Sequence, residues 1–315
     1  MNLADFLSLG QTSLELGLVS ALTVLALFLS YSMLNVCDLS TDGCYTFGAA
    51  VGAVVALSGH PWLSIPAAMC AGMLSGFVTA LLQTRMGVQS LLAGIVMNTA
   101  LYSVNMAITG NKAQLNLNKT ETVFTMAKNL LRDTPLSAQY RLLVELLAVV
   151  LVIVFLVFFL RTKLGLSIRA TGSNPDMVRS SSINPAFTTT VGLCISNSFT
   201  ALSGCLMAQQ QKSFDINLGQ GMVTVALASL LIGGVFTGRR GVPLRAVGCV
   251  IGAFIFRLVY AIALRLNMPA FMLKAVSAII VVLAISGPYL KEQLRLFLRR
   301  TRRGAAAGEG GDMPC

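Results

Sequence analysis

The stretch Arg161-Thr-Lys-Leu-Gly-Leu-Ser-Ile-Arg169-Ala-Thr-Gly172-Ser-Asn174-Pro-Asp176-Met-Val-Arg179-Ser-Ser-Ser-Ile-Asn184 lies between two strongly apolar runs, and its punctuation is that of a short helix. Asn174 is a good N-cap, Pro175 suits the first helical position, and Asp176 falls in the first turn, where it complements the helix dipole. Arg179 comes near the end of a helix only one or two turns long. An ordinary solvated loop would be the bland account. A capped helix between two membrane spans instead asks for something to dock against.

Outward from that stretch the chain is apolar. Of 315 residues 55% are hydrophobic and 11% charged, with a mean hydropathy of +0.77. Soluble domains carry about 25% charged residues. The expected fold class is therefore all-α, a polytopic membrane helix bundle, with room for about eight to ten spans at roughly 20 residues each. Nine are expected, near 13–36, 43–59, 62–84, 89–109, 139–160, 186–207, 220–237, 243–264 and 269–290. These form one transmembrane domain, 1–290, with the loop 161–184 inside it. Residues 291–315 form a basic tail whose Gly304-Ala-Ala-Ala-Gly-Glu-Gly-Gly end has a disordered composition. Met1–Gly10 has Asp5 but no Lys or Arg, so it reads as retained rather than as a signal peptide. Runs such as Gly48-Ala-Ala-Val-Gly-Ala let helix backbones approach closely in lipid and predict a tight bundle.

Lys and Arg set the orientation. Arg85, Arg161, Lys163, Arg169, Arg179, Arg239, Arg240, Arg245, Lys291, Arg295, Arg299, Arg300, Arg302 and Arg303 occupy alternate connections and the tail, fourteen of the 23 basic residues. Their side is expected to be cytoplasmic, which puts the C-terminus inside a bacterial plasma membrane. The net charge of +11 thus lies at span ends and predicts contact with anionic lipid, with no nucleic-acid partner. On the other side, Gly110–Ala138 is long enough to form a lid or docking surface, and Gln209–Gly221 carries Lys212 and Asp215.

Chemistry is sparse. The one histidine, His60, cannot make a metal site alone, and seven scattered cysteines without a CxxC pair read as buried thiols. No catalytic constellation and no phosphate-binding P-loop occurs, so any ATP-driven step needs another chain. What remains is a polar set inside apolar sequence. Asn35-Val-Cys-Asp38-Leu-Ser40-Thr41-Asp42-Gly interrupts the first two spans. It is either a turn with an aspartate cap or a discontinuous helix lining a substrate path, and it is too short and too weakly charged for a committed loop. Asn98, Asn105, Asn197 and Arg257 complete the candidates for the path. Arg257 is the costliest in lipid and needs a counter-charge, carbonyls or water; Glu145 is an available partner.

These residues resemble the permease subunits of ATP-binding-cassette importers, in the branch shared by branched-chain amino acid and ribose permeases. The resemblance rests on Leu22-Thr-Val-Leu-Ala-Leu-Phe-Leu-Ser-Tyr, Asp38-Leu-Ser-Thr-Asp-Gly-Cys-Tyr-Thr-Phe-Gly, Arg169-Ala-Thr-Gly-Ser-Asn-Pro-Asp-Met-Val-Arg and Val235-Phe-Thr-Gly-Arg-Arg-Gly, spread over 14–290. The Asp-Leu-Ser-Thr-Asp-Gly form is similar to the aromatic amino acid (tryptophan/tyrosine) subgroup. The resemblance implies a non-enzymatic transport subunit that admits a small solute, an amino acid by its subgroup. It further implies a permease homodimer, a cytoplasmic ATP-binding subunit holding the ATP and Mg, an extracytoplasmic solute-binding protein, and no cofactor on this chain. Gly172, Ser173, Asn174, Pro175, Asp176, Met177, Val178 and Arg179 would then contact the motor. Ser182 stands where relatives often have Gly, which leaves the end of that helix open. An ion-gradient-driven transporter or channel is the alternative reading.

Overall fold

The computed structural model describes residues 3–132, 139–238 and 241–265, with isolated positions between 272 and 286. The expected ninth span and the basic tail lie outside that continuous part. Eleven α-helices occur among the described residues: α1 (Leu3–Leu27), α2 (Thr41–Leu57), α3 (Ser64–Thr84), α4 (Ser90–Ile108), α5 (Val123–Leu130), α6 (Tyr140–Phe159), α7 (Lys163–Ser173), α8 (Pro175–Ser180), α9 (Pro185–Gln211), α10 (Met222–Thr237) and α11 (Val242–Arg265). Two three-residue strands, β1 (Gln114–Asn116) and β2 (Ser213–Asp215), pair antiparallel.

Six of these helical stretches are long and apolar enough to cross a membrane: Gly10–Met33, Pro61–Thr84, Ser90–Ile108, Tyr140–Phe159, Pro185–Gln211 and Val242–Arg265. The helices in place of the expected spans 43–59 and 220–237 are shorter, at 17 and 16 residues. At 1.5 Å per residue they rise roughly 25 Å, less than the ~30 Å hydrocarbon core. Of the nine expected spans, six are met at full length, two by these shorter apolar helices, and the ninth lies outside the continuous described part.

α9 is the axis of the fold. It packs against α2, α3 and α1, while α11 joins α1 to α10, α4 covers α2, and α6 lies outside α1. The packing follows from small residues. A Cβ at Gly48 would strike the backbone of Ala201, and one at Gly76 would strike that of Leu193 and Cys194. With backbones this close, hydroxyls reach across: Ser196 Oγ donates to the Ala26 carbonyl at 2.8 Å and Ser203 Oγ to that of Val19 at 2.7 Å. The polar residues of α9 thus face helices rather than lipid, whereas α6, with Leu147, Leu151, Val154 and Phe158 outward, is the greasy rim.

On the face opposite α7 and α8, the two long connections are joined to each other. Leu115 pairs with Phe214, and Gln114 Nε2 donates to Asp215 Oδ2 at 2.7 Å. Thr122 and Thr125 form a capping box for α5, and the buried Gln209 accepts from Val123 N while donating to Ser64 Oγ. After β2 the chain turns inward, and residues 216–221 descend to meet the start of α2.

Candidate functional site

The exposed helix α8 is built as its residues dictate. Asn174 Oδ1 accepts from the N–H groups of Asp176 and Met177, both at 3.1 Å, with Pro175 at the first position. Val178 is buried and anchors the turn, whereas Met177 is 67% exposed. Asp176 and Arg179 form a 3.7 Å ion pair in open solvent, of a kind that contributes little to stability. The helix ends in a Schellman arrangement, with Ile183 N on the Val178 carbonyl, Ser182 N on that of Arg179, and Ser182 at φ 61°. The left-handed conformation costs an L-residue roughly 1–2 kcal/mol. Ser182→Gly is therefore expected to stabilise the chain by about 1 kcal/mol without altering transport. Thermal unfolding in detergent checks this, and a lower midpoint counts against it.

α7 connects this helix to the interior. Its last turn lies against the point where α1 fails. After Leu27 the helix widens into a π-turn, Phe28–Met33, and then loses helical form from Leu34 to Ser40, with Asn35 at φ 57°. Gly172 approaches the backbone of Met33 and Leu34 so closely that a Cβ there would collide with both. The hydroxyls of Thr171 and Thr188 meet at 2.8 Å, tying α7 to α9. Arg245 on α11 stacks over Phe28 at 5.2 Å, on the first residue of the π-turn. A cavity of about 360 Å³ is lined by Leu34, Asn35 and Val36 on one side and Thr171, Gly172, Pro175 and Arg179 on the other. Residues Gly172–Arg179 are thus brought together at one end of the bundle, with Ser173, Asp176, Met177 and Arg179 outward.

The interruption after α1 leads into the bundle centre. Asp38 is buried, with Oδ1 accepting from Ser40 N at 2.8 Å and Oδ2 from Asn197 Nδ2 at 3.0 Å. Thr41 Oγ1 donates to the Asp38 carbonyl, Thr79 Oγ1 contacts Ser40 Oγ at 3.5 Å, and Asn105 Nδ2 reaches the Gly43 carbonyl at 3.5 Å. Asn98 lies against Gly43 and is half-buried. Six of the predicted polar residues therefore gather around the first turn of α2. Five of them, Asp38, Ser40, Thr41, Asn105 and Asn197, are closed off from solvent and hold helices together.

Asp42 and Arg257 act differently. Asp42 Oδ1 and Oδ2 accept from the N–H groups of Val223 and Gly221 at 2.8 and 2.9 Å, so this carboxylate on α2 caps α10. Thr46 Oγ1 accepts from Gly219 N at 3.1 Å. Arg257 lies in α11, lining a cavity of about 430 Å³, and its Nε donates to Ser20 Oγ at 3.3 Å. Glu145 is not its partner. That carboxyl is fully buried on α6 without a hydrogen bond, and its charged neighbours are Glu15 and Arg141. Tyr45, Gln211 and Gln220, which also line the cavity, carry no sequence signal beyond being polar residues near span ends.

A helix broken beside a short capped helix, in a bundle of apolar spans, agrees with the comparisons with known proteins. The family described as the permease component of branched-chain amino acid transport systems matches residues 11–285. The chain belongs to that family. This permease is 30% identical over 268 residues to the tyrosine transport system permease protein of Clostridioides difficile (strain R20291), covering 84% of this chain and 86% of that one. It is 26% identical to the ribose import permease of Escherichia coli K12 over 76% of this chain and 72% of that one. It is 24% identical to the fructose import permease of Bifidobacterium longum over 88% and 80%. No solved structure matches. The permease is thus an integral membrane subunit of an ATP-binding-cassette importer, not an enzyme. Permeases of this kind work with an ATP-binding subunit and a solute-binding protein.

Proposed function

We propose that this permease carries an amino acid into the cytoplasm, as one of two identical copies, with α7 and α8 on the cytoplasmic side. The side is read from the concentration of Lys and Arg at that end, and the solute class from the tyrosine permease it resembles over most of its length. Gly172–Arg179 dock on the ATP-binding subunit, which holds the ATP and Mg. The basic tail meets anionic lipid, and the surface formed by β1, β2 and α5 receives the solute-binding protein.

One observation carries the coupling: Gly172 is seated on the backbone of Met33 and Leu34, where α1 loses its hydrogen-bond ladder. A push on α8 reaches α7, then the interruption, then Asp38 and the start of α2, and through Asp42 the start of α10. A π-turn is a natural place for such movement, because its carbonyls can shift between neighbouring N–H groups at small cost.

Reconstitution with the ATP-binding subunit and solute-binding protein in liposomes tests the reading. L-tyrosine uptake is expected to require ATP and to survive collapse of ion gradients. Uptake that persists without ATP and is abolished by an ionophore would indicate a gradient-driven transporter and overturn it.

A further inference from the structure

We propose that the cavity between Tyr45 and Arg257 is a station on the transport path that grips the carboxylate of the solute, which selects amino acids over sugars. The proposal rests on the reading of the chain as an importer permease and adds to it where the solute is held and by which chemical group.

Arg257 is a fixed cation within a membrane-spanning helix, and such a charge is tolerated only when something offsets it. No carboxylate among the described residues forms an ion pair with it. Asp38 is bound to Ser40 and Asn197, and Asp42 to the backbone of Gly221 and Val223. Residues 266–291 contain no Asp or Glu, so the stretch that follows α11 has no acid to offer. Among the described residues, the ionisable groups that act on Arg257 are the phenols of Tyr45 and Tyr260. Its Nε is held by Ser20 Oγ, which orients the guanidinium and leaves its two terminal nitrogens for a bidentate acceptor.

A second observation points into the same space. Tyr45 is fully buried, and its hydroxyl makes no hydrogen bond. The nearby Ser203 hydroxyl donates to the Val19 carbonyl, and its oxygen is the protein acceptor that a ligand would compete with for the phenol. A buried phenol that makes no good hydrogen bond is expensive, and a ligand oxygen in the cavity would satisfy it. Arg257 and Tyr45 both line the cavity, whose volume of about 430 Å³ is in the range of small-molecule sites. Phe256 and Met222 supply an apolar wall. At the rim, the side-chain nitrogens of Gln211 and Gln220 are used by Met207 Sδ and Asn217 Oδ1, so their carbonyl oxygens are the acceptors available to an ammonium group. One cation, the phenols of Tyr45 and Tyr260, amide carbonyls and an apolar wall match a zwitterion with an apolar or aromatic side chain. A neutral sugar would leave Arg257 without a counter-charge.

The test uses the permease assembled with its ATP-binding subunit and solute-binding protein in liposomes. Arg257→Gln is expected to lower uptake of labelled L-tyrosine at least tenfold while ATP hydrolysis stimulated by the liganded binding protein persists; Arg257→Lys keeps an intermediate rate. Uptake by Arg257→Gln at the unsubstituted rate overturns the proposal. Labelling with phenylglyoxal, read at the Arg257 peptide by mass spectrometry, needs no substitution and decides the matter if a variant fails to assemble. L-tyrosine and benzoate should protect Arg257, and tyramine and D-ribose should not. An arginine that is unlabelled throughout, or labelled equally with every compound, overturns the proposal. ATP-driven uptake of D-ribose with Arg257 unprotected sinks the carboxylate station alone; uptake independent of ATP sinks the permease reading itself.

Discussion

Met177→Asp is expected to reduce ATP-driven uptake at least a hundredfold while the chain still inserts and folds. Met177 is the exposed apolar side chain on a helix otherwise dressed with Asp176, Arg179 and serines, and it points away from the bundle. The frame beneath it does not depend on it. Asn174 caps the helix through its own side chain, and Val178 holds the inner face. In the docking proposed for Gly172–Arg179, a carboxylate at the tip would therefore leave α8 intact but carry an unpaired charge into the contact with the ATP-binding subunit. Burying such a charge costs several kcal/mol, and about 3 kcal/mol already corresponds to a hundredfold loss of the productive complex. Co-purification of the ATP-binding subunit and uptake in the same liposomes should fall together, whereas Ser180→Ala, on the same helix, should change neither. Normal uptake by Met177→Asp would remove α8 from the coupling pathway.

The second large effect is on stability. Asp42→Ala is expected to destabilise the permease by about 3–6 kcal/mol, since two hydrogen bonds from backbone N–H groups to a charged acceptor are each worth roughly 1.5–3 kcal/mol. Val223 is buried, so its N–H has no ready substitute for the carboxylate, whereas Gly221 is exposed; α10 begins there with no side-chain cap of its own. Asp42→Asn keeps one acceptor oxygen and should lose about half as much. Urea or thermal unfolding in detergent, followed by helix content, measures both; an Asp42→Ala protein that unfolds like the parent would show that α10 does not need this cap.

The apolar runs and the interruptions were readable from residue type alone. Asn174-Pro-Asp announced α8 because capping and proline chemistry act within four residues. Asp38 to Asp42 announced a broken helix because carboxylates do not sit in a continuous apolar span. The link between Asp42 and α10 was not readable. It joins positions about 180 residues apart, and from the sequence either aspartate was equally able to cap its own helix. The π-turn at Phe28–Met33 left no trace either, since Phe-Leu-Ser-Tyr-Ser-Met is compatible with an ordinary helix and only the hydrogen-bond register differs. For the same reason the shorter lengths of α2 and α10 were not announced: composition reports what a segment can tolerate, not where its helix starts. Arg257 was found by its cost in lipid, but its setting, with Ser20, Tyr45 and Gln211 drawn from three other helices, exists only after folding.

The buried, hydroxyl-rich α9 has a consequence for how the chain is made. A segment carrying Ser196, Asn197, Ser198, Thr200, Ser203 and Gln209 partitions poorly into lipid as a solitary helix. Its glycine-lined neighbours α2 and α3 and its acceptor helix α1 all precede it in the chain, and are synthesised before it emerges. The order of the sequence thus places the receptors for α9 in the membrane in advance. A circular permutant beginning at α9 would present the same contacts but require its least lipid-compatible helix to leave the insertion machinery first.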